Sequence, residues 1–216
     1  MPQLEELKER QRKRRGKAGE RVTEARASTT DPDARVMRMA DGGYRPAYNA
    51  QFATDAASHA IVGVGVETNG ADQGQALPME AQAARRTAQH PKRYLMDGGY
   101  VDRDDITAME KQGIVVYAPL PRSRTDPEGK PSSTPHRGDS PEVEGWRTRM
   151  TTEEAKTIYK HRGATAECAN AHIRVRCGLQ QFTVRGVGKV LSVLLLAAIT
   201  HDLLRWIALA PSVATS

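Results

Sequence analysis

Short apolar runs alternate with polar turns from residue 46 onward, and this pattern predicts a mixture of strands and helices. Two runs have the β-branched and aromatic character of strands, namely PAYNAQFATD (46–55) and HAIVGVGVET (59–68). The connection between them, Ala56-Ala57-Ser58, is too short for a crossover. The two strands are therefore predicted to form an antiparallel hairpin.

An alternation of helix and strand follows the hairpin. ADQGQALPMEAQAARRTAQ (71–89) predicts a helix with Asp72 as its N-cap. KRYLMD (92–97) and IVVYAPL (114–120) predict short strands, and DRDDITAMEKQ between them predicts a helix that ends at Gly113. A strand, a crossover helix and a second strand imply parallel pairing. We therefore predict an α/β fold, with a mixed sheet of an antiparallel hairpin plus parallel strands, flanked by helices.

The second half of the chain begins with an irregular stretch. Six of the twelve prolines lie between Pro119 and Pro141, which predicts a Pro-rich insertion loop over 119–145. A helix with a capped start is predicted from Thr151-Thr152-Glu153-Glu154 through Tyr159 toward Arg174. The last segment, GVGKVLSVLLLAAITHDLLRWIALA (186–210), is apolar nearly all round. Its most apolar part is only about half as long as a membrane-spanning helix, so the segment predicts a helix in the protein core, under the sheet. Trp146 and Trp206 are expected to be packing residues.

Charge and cysteine content narrow the class of protein. The 216 residues have a net charge of +6 and a pI of about 9.5, which favours a polyanionic partner such as nucleic acid. Residues 1–27 hold nine Lys or Arg against five Glu, which predicts a basic helical or disordered arm over 1–29 and one domain over 30–210. Two cysteines are too few for a disulfide framework and indicate a reducing cytoplasm.

Two carboxylates are candidates for chemistry. Asp97 follows a predicted strand and precedes Gly98-Gly99, at the kind of strand end where α/β sheets bind ligands. Asp-Gly is also an ordinary turn dipeptide, so this signal has two interpretations. Glu167 lies seven residues before Arg174, on the same face of a predicted helix. The pair is either a carboxylate aimed at a metal with a cation for phosphate, or a surface ion pair.

Three segments together resemble a known family. TTDPDARVMRMADGGYRPAYNAQFATD, YLMDGGYVD and YKHRGATAECANAHIR are similar to the C-terminal part of bacterial insertion-sequence transposases of the Asp-Asp-Glu class, which have a ribonuclease H-like catalytic domain. In that family three carboxylates bind two divalent metals, Mg²⁺ or Mn²⁺, which activate water or a DNA 3′-hydroxyl for attack on a phosphodiester. The resemblance implies catalytic and metal-binding roles for Asp97 and Glu167. It implies nucleic-acid contacts for Tyr159, Arg162 and Arg174.

The resemblance also implies partners and a location. The implied partners are double-stranded DNA and either a second copy of the chain or a full-length transposase, with no membrane. The implied location is the nucleoid in a bacterial cytoplasm.

The signature around the glutamate departs from the family pattern in two ways. Four residues separate Arg162 from Glu167 where three are usual, and an ideal helix would place the two about 140° apart. We therefore predict a bulge or kink near Gly163 that restores their facing. Arg174 stands where the family usually has Lys, which keeps the charge but offers phosphate a planar fork instead of a point charge.

The first carboxylate of the family is the larger departure. The family has it on a strand before the hairpin, in an Asp-Gly-Thr setting, whereas ARVMRMA before Arg45 is a poor strand core and Asp41 a poor substitute. The expectation is an N-terminally truncated copy that lacks the first catalytic strand and is weakly active or inactive. The alternative is a non-catalytic DNA-binding or regulatory remnant that interferes with full-length transposase.

Overall fold

A computed structural model describes residues 5–6, 8–9, 28–39, 41–121 and 136–210. Most of the basic arm and residues 122–135 of the insertion therefore lie outside the described residues. The strands pair two by two: β1 (Arg35–Arg38) with β2 (Tyr44–Ala47), β3 (Asn49–Thr54) with β4 (Ile61–Glu67), and β5 (Arg93–Leu95) with β6 (Val115–Tyr117).

The helices follow the strands and cover them. In chain order they are α1 (Ala76–Thr87), a 3₁₀ turn (Gly98–Tyr100), α2 (Arg103–Lys111), α3 (Pro141–Arg149), α4 (Glu153–Arg162), a π segment (Gly163–Glu167), α5 (Cys168–Arg176) and α6 (Val187–Leu209). The π segment joins α4 to α5 without a break in the helical path.

The predicted strand pairings are confirmed, but the predicted sheet is not. β3 and β4 are antiparallel, and β5 and β6 are parallel. No backbone ladder joins these two pairs in the residues that the structure describes, so the expected mixed sheet is divided into separate two-stranded sheets. One edge of β3 and one edge of β5 consequently have no strand partner in this part of the chain.

A strand does precede Arg45, contrary to the expectation from ARVMRMA. β1 pairs antiparallel with β2 from Arg35↔Ala47 to Arg38↔Tyr44. Val36 on β1 is 52% exposed. Because pairing satisfies the backbone groups of this strand without burying its side chains, the sequence carries little apolar signal for it.

Two apolar clusters form the core. One packs α2 and α3 against the parallel strands around Ile106, Val116 and Trp146. The other packs α5 and α6 under the hairpin around Val64 and Ile173. The two faces of β4 are covered by different helices, because a Cβ on Gly63 would meet Met79 of α1, whereas Val64 packs with α5 and α6.

The last helix is buried on one face only. Val190, Leu194 and His201 are at most 2% exposed, which confirms packing under the hairpin. Trp206 is 70% exposed, so its predicted packing role is wrong, and complete burial of α6 is wrong as well. By length and composition α6 could cross a membrane, although part of it is buried against the protein.

Several helix ends differ from prediction. Gln75, not Asp72, is the N-cap of α1, and no side chain caps this end. Helix α3 begins at Pro141 after the Ser140 cap, so the predicted loop 119–145 extends too far. The capped start predicted at Thr151-Thr152-Glu153-Glu154 is confirmed, and the N-cap is Thr152, whose hydroxyl accepts from the Ala155 N–H.

Candidate active site

Asp97 lies just past the end of β5, as predicted. Its backbone is extended, and its Oδ1 accepts a hydrogen bond of 2.6 Å from the Gly98 N–H, which begins the 3₁₀ turn. The side chain is 60% exposed. The strand-end location is therefore real, and the second oxygen of the carboxylate remains open to a partner.

That partner is Arg162, at the end of α4. Its Nη1 lies 3.8 Å from Asp97 Oδ2, and its guanidinium carbon lies 5.6 Å from the centre of the Tyr159 ring. Partial burial raises the pKa of Tyr159, the Arg162 charge opposes this, and the Asp97 carboxylate adds to it. The structure thus brings together three of the five residues that the sequence singled out.

The bulge predicted near Gly163 is confirmed. Residues Gly163–Glu167 form a π segment, which holds one residue more per turn than the flanking α-helices. In π geometry, residues five apart in sequence lie about one turn apart, whereas in a straight α-helix they would diverge. The inserted residue therefore leaves α5 packed on the hairpin while Arg162 still faces Asp97.

Glu167 forms no hydrogen bond or ion pair with this group. It is exposed, and its Oε1 lies 3.6 Å from the position that a Cβ on Gly163 would occupy. It makes no side-chain hydrogen bond or ion pair with the described residues. Arg174 is also exposed on α5. The metal-binding and DNA-binding roles of these two residues stay predictions.

Asp72 is the residue that the sequence reading placed wrongly. Its Oδ1 accepts hydrogen bonds from Asn49 Nδ2 (2.6 Å) and Gln51 Nε2 (3.0 Å) on β3. A Cβ on Gly99 would lie 3.0 Å from its Oδ2, so it sits against the turn after Asp97. The sequence carries only part of this signal: the two amides Asn49 and Gln51 on one face of a strand indicate a polar partner, but not which residue supplies it.

Tyr100 connects the two aspartates electrostatically. Burial, and then the carboxylates of Asp72 and Asp97, raise its pKa above the usual range. The side of the 3₁₀ turn next to Asp97 therefore carries two carboxylates and a phenol that stays protonated at neutral pH.

These residues do not fit a two-metal centre. No three His, Cys, Asp or Glu side chains converge on one point within 28–39, 41–121 and 136–210. Arg162 already places a guanidinium nitrogen 3.8 Å from the Asp97 carboxylate, so a cation beside this carboxylate is supplied by the protein. Two divalent ions close together need several anionic ligands to offset their repulsion.

The fold defines the class as a mixed α/β protein with small two-stranded sheets, and a carboxylate lies just past the end of β5. Residues 22–203 match the family model described as Transposase DDE domain, which is most of the chain. The chain belongs to this family, whose function is DNA transposition and whose enzymes typically use a divalent metal. No curated protein and no solved structure gave a significant match.

Proposed function

We propose that this chain binds double-stranded DNA along α4, the π segment and α5, and that it is weakly active or inactive in metal-dependent DNA cleavage and strand transfer at insertion-sequence ends. The observation that carries this is the pairing of Asp97 with Arg162. A guanidinium beside a carboxylate offsets the negative charge that would attract Mg²⁺ or Mn²⁺.

The surface proposed for DNA is the continuous helical path from Glu153 to Arg176. Its exposed basic side chains are Lys156, Lys160, Arg174 and Arg176. Arginine donors match phosphate oxygens in a fork, and cations on one face supply most non-specific DNA affinity.

DNA binding is tested with the intact chain and a fluorescent duplex, by anisotropy over a range of salt concentrations. Arg174→Gln is expected to weaken binding and to lower the slope of log K against log salt by about one. Arg85→Gln is the matched control, because Arg85 is exposed on α1, which covers the opposite face of the hairpin. Equal slopes for both variants and the wild type would contradict the proposed DNA-binding surface.

Cleavage is tested by nicking of supercoiled plasmid with Mg²⁺ and, separately, with Mn²⁺. The intact chain is expected to nick no faster than buffer, and Asp97→Asn is expected to behave identically. Strong nicking that Asp97→Asn abolishes would show that the chain is an active enzyme.

A second candidate function is regulation by mixed assembly with a full-length transposase. The observation that favours it is the exposed apolar row on α6, formed by Leu196, Ile199, Leu203, Trp206 and Ile207. The test is the mass of the chain by light scattering, alone and mixed with a catalytically complete family member, for wild type and Ile199→Lys. A monomeric mass in every mixture would reject this candidate. Either function would be exercised on nucleoid DNA in the bacterial cytoplasm.

A further inference from the structure

A cleft of about 880 Å³ lies between β3 and β5 and is here called the strand slot. One wall is the stretch Ala50–Asp55, and the other is Arg93–Asp97. Within these walls, Ala50–Thr54 belongs to β3 and Arg93–Leu95 is β5. The slot therefore presents two lengths of main chain to whatever enters it.

The walls are strand edges with free hydrogen-bonding capacity. Met96 N–H donates to the Tyr117 carbonyl and Val115 N–H donates to the Lys92 carbonyl, each at 3.0 Å. Because peptide groups along a strand alternate between its two edges, those of Arg93 and Leu95 point toward the slot. On the other wall, β3 pairs with β4 alone among the described strands, so alternate peptide groups of β3 also point into the slot.

The slot continues the layer of the β3–β4 sheet. Met79 and Ala83 of α1 close it on one face, and Thr165 and Ala166 of the π segment close it on the other. These helices lie on opposite faces of the hairpin, as the contacts of β4 show. A space between two helix layers, bounded by two strand edges without a strand partner among the described residues, is where a sheet would hold a further strand.

The contacts of Asp72 show the relative direction of the two strands that form the walls. Asn49 and Gln51, at the start of β3, donate to Asp72, which lies against Gly99, just past the end of β5. β3 and β5 therefore run in opposite directions. A strand in the slot would be parallel to one wall and antiparallel to the other.

We propose that the strand slot binds an extended segment of another polypeptide, about five or six residues long, as an added β-strand. Its peptide groups would pair with both walls and join the two sheets into one ladder. Its side chains would alternate between apolar residues against Met79 and small or polar ones against Thr165. A helix would satisfy neither edge, because its own backbone groups are already paired. Strand capture requires no DNA cleavage.

The test is a selection of displayed random heptapeptides on the intact chain. Ala166→Trp fills the slot from the π segment, and Ala164→Trp is its matched control, since Ala164 is exposed two residues away and does not line the slot. Peptides with period-two alternation are expected to be enriched. Their affinity should fall at least about tenfold for Ala166→Trp and stay within about twofold for Ala164→Trp.

A second measurement needs no protein variant. N-methylation of alternate peptide nitrogens in a selected peptide removes backbone donors and is expected to abolish binding, while the same change at the peptide ends is tolerated. No enrichment, equal binding to both tryptophan variants, tolerance of N-methylation throughout, or displacement of the peptides by duplex DNA would each overturn the proposal.

Discussion

Acidification is expected to destabilise the junction of α5, α6 and the hairpin turn through a pair of histidines. His201 is 1% exposed, its Nε2 lies 2.9 Å from the His59 carbonyl, and its Nδ1 lies 3.0 Å from His172 Nδ1. A carbonyl only accepts, so the His201 proton belongs on Nε2. Only one of the two facing Nδ1 atoms can carry a proton in this contact, so the pair cannot take up a further proton there without breaking it.

The sign of the effect follows from His172. Burial, and then the nearby His201, Arg176 and Arg205, lower its pKa below the usual value. The unfolded chain, with a histidine pKa of about 6.5, therefore binds this proton more readily than the folded chain. The stability is fully present above about pH 6.5 and is lost as the pH falls from there toward the lowered folded-state pKa.

The size of the effect has an upper limit. One proton taken up only on unfolding changes the free energy of unfolding by at most about 1.4 kcal/mol per pH unit. Solvent screening of the partly exposed His172 ring reduces this figure. His172→Gln keeps a donor for His201 but cannot titrate, so it is expected to remove this part of the pH dependence.

The assay is urea unfolding followed by circular dichroism between about pH 7.5 and about pH 5.5. His161→Gln is the matched control, since His161 is exposed on the preceding helix. Its slope of stability against pH should equal that of wild type. An equal slope for wild type and His172→Gln, or greater stability of wild type in acid, would refute the reasoning.

Two core predictions can be checked by the same unfolding assay. Gly63→Ala is expected to cost about 1–3 kcal/mol, because the new Cβ would lie 2.9 Å from the Ala53 Cβ and would also meet Met79; an unchanged midpoint would show that the strands separate freely. Leu194→Ala is expected to cost about 2–5 kcal/mol at a site 2% exposed. Leu196→Ala, at a site 64% exposed, should change stability by less than about 0.5 kcal/mol, and equal costs would contradict the orientation of α6.

Local elements were predictable where the sequence contains its own signal. The hairpin could be found because two apolar runs flank a three-residue turn, and the parallel pair because a helix of crossover length separates two short runs. The π segment was predictable from the resemblance to the family, since one residue more than the family pattern separates Arg162 from Glu167 and must be absorbed if the helices on either side keep their packing.

Features that depend on distant partners were not predictable. Asp72 has the sequence context of a helix cap, but two amides 21 and 23 residues earlier bind its carboxylate. The lack of pairing between β3 and β5 could not be predicted either, because periodicity shows which residues are apolar but not which strand edges pair. The outward face of α6 is as apolar as its inward face, so composition alone could not tell Leu194 from Leu196.

The site and the strand slot share three residues, Asp97, Tyr100 and Arg162, and this links their chemistry. Asp97 and Arg162 both line the slot, so a strand that enters it would end beside their ion pair. A new backbone ladder along β5 would fix the strand that carries Asp97 and would exclude water from its carboxylate. Lower exposure strengthens the attraction between a carboxylate and any cation, whether Arg162 or a metal. Binding of a strand and a change in the electrostatics of Asp97 are therefore expected to occur together.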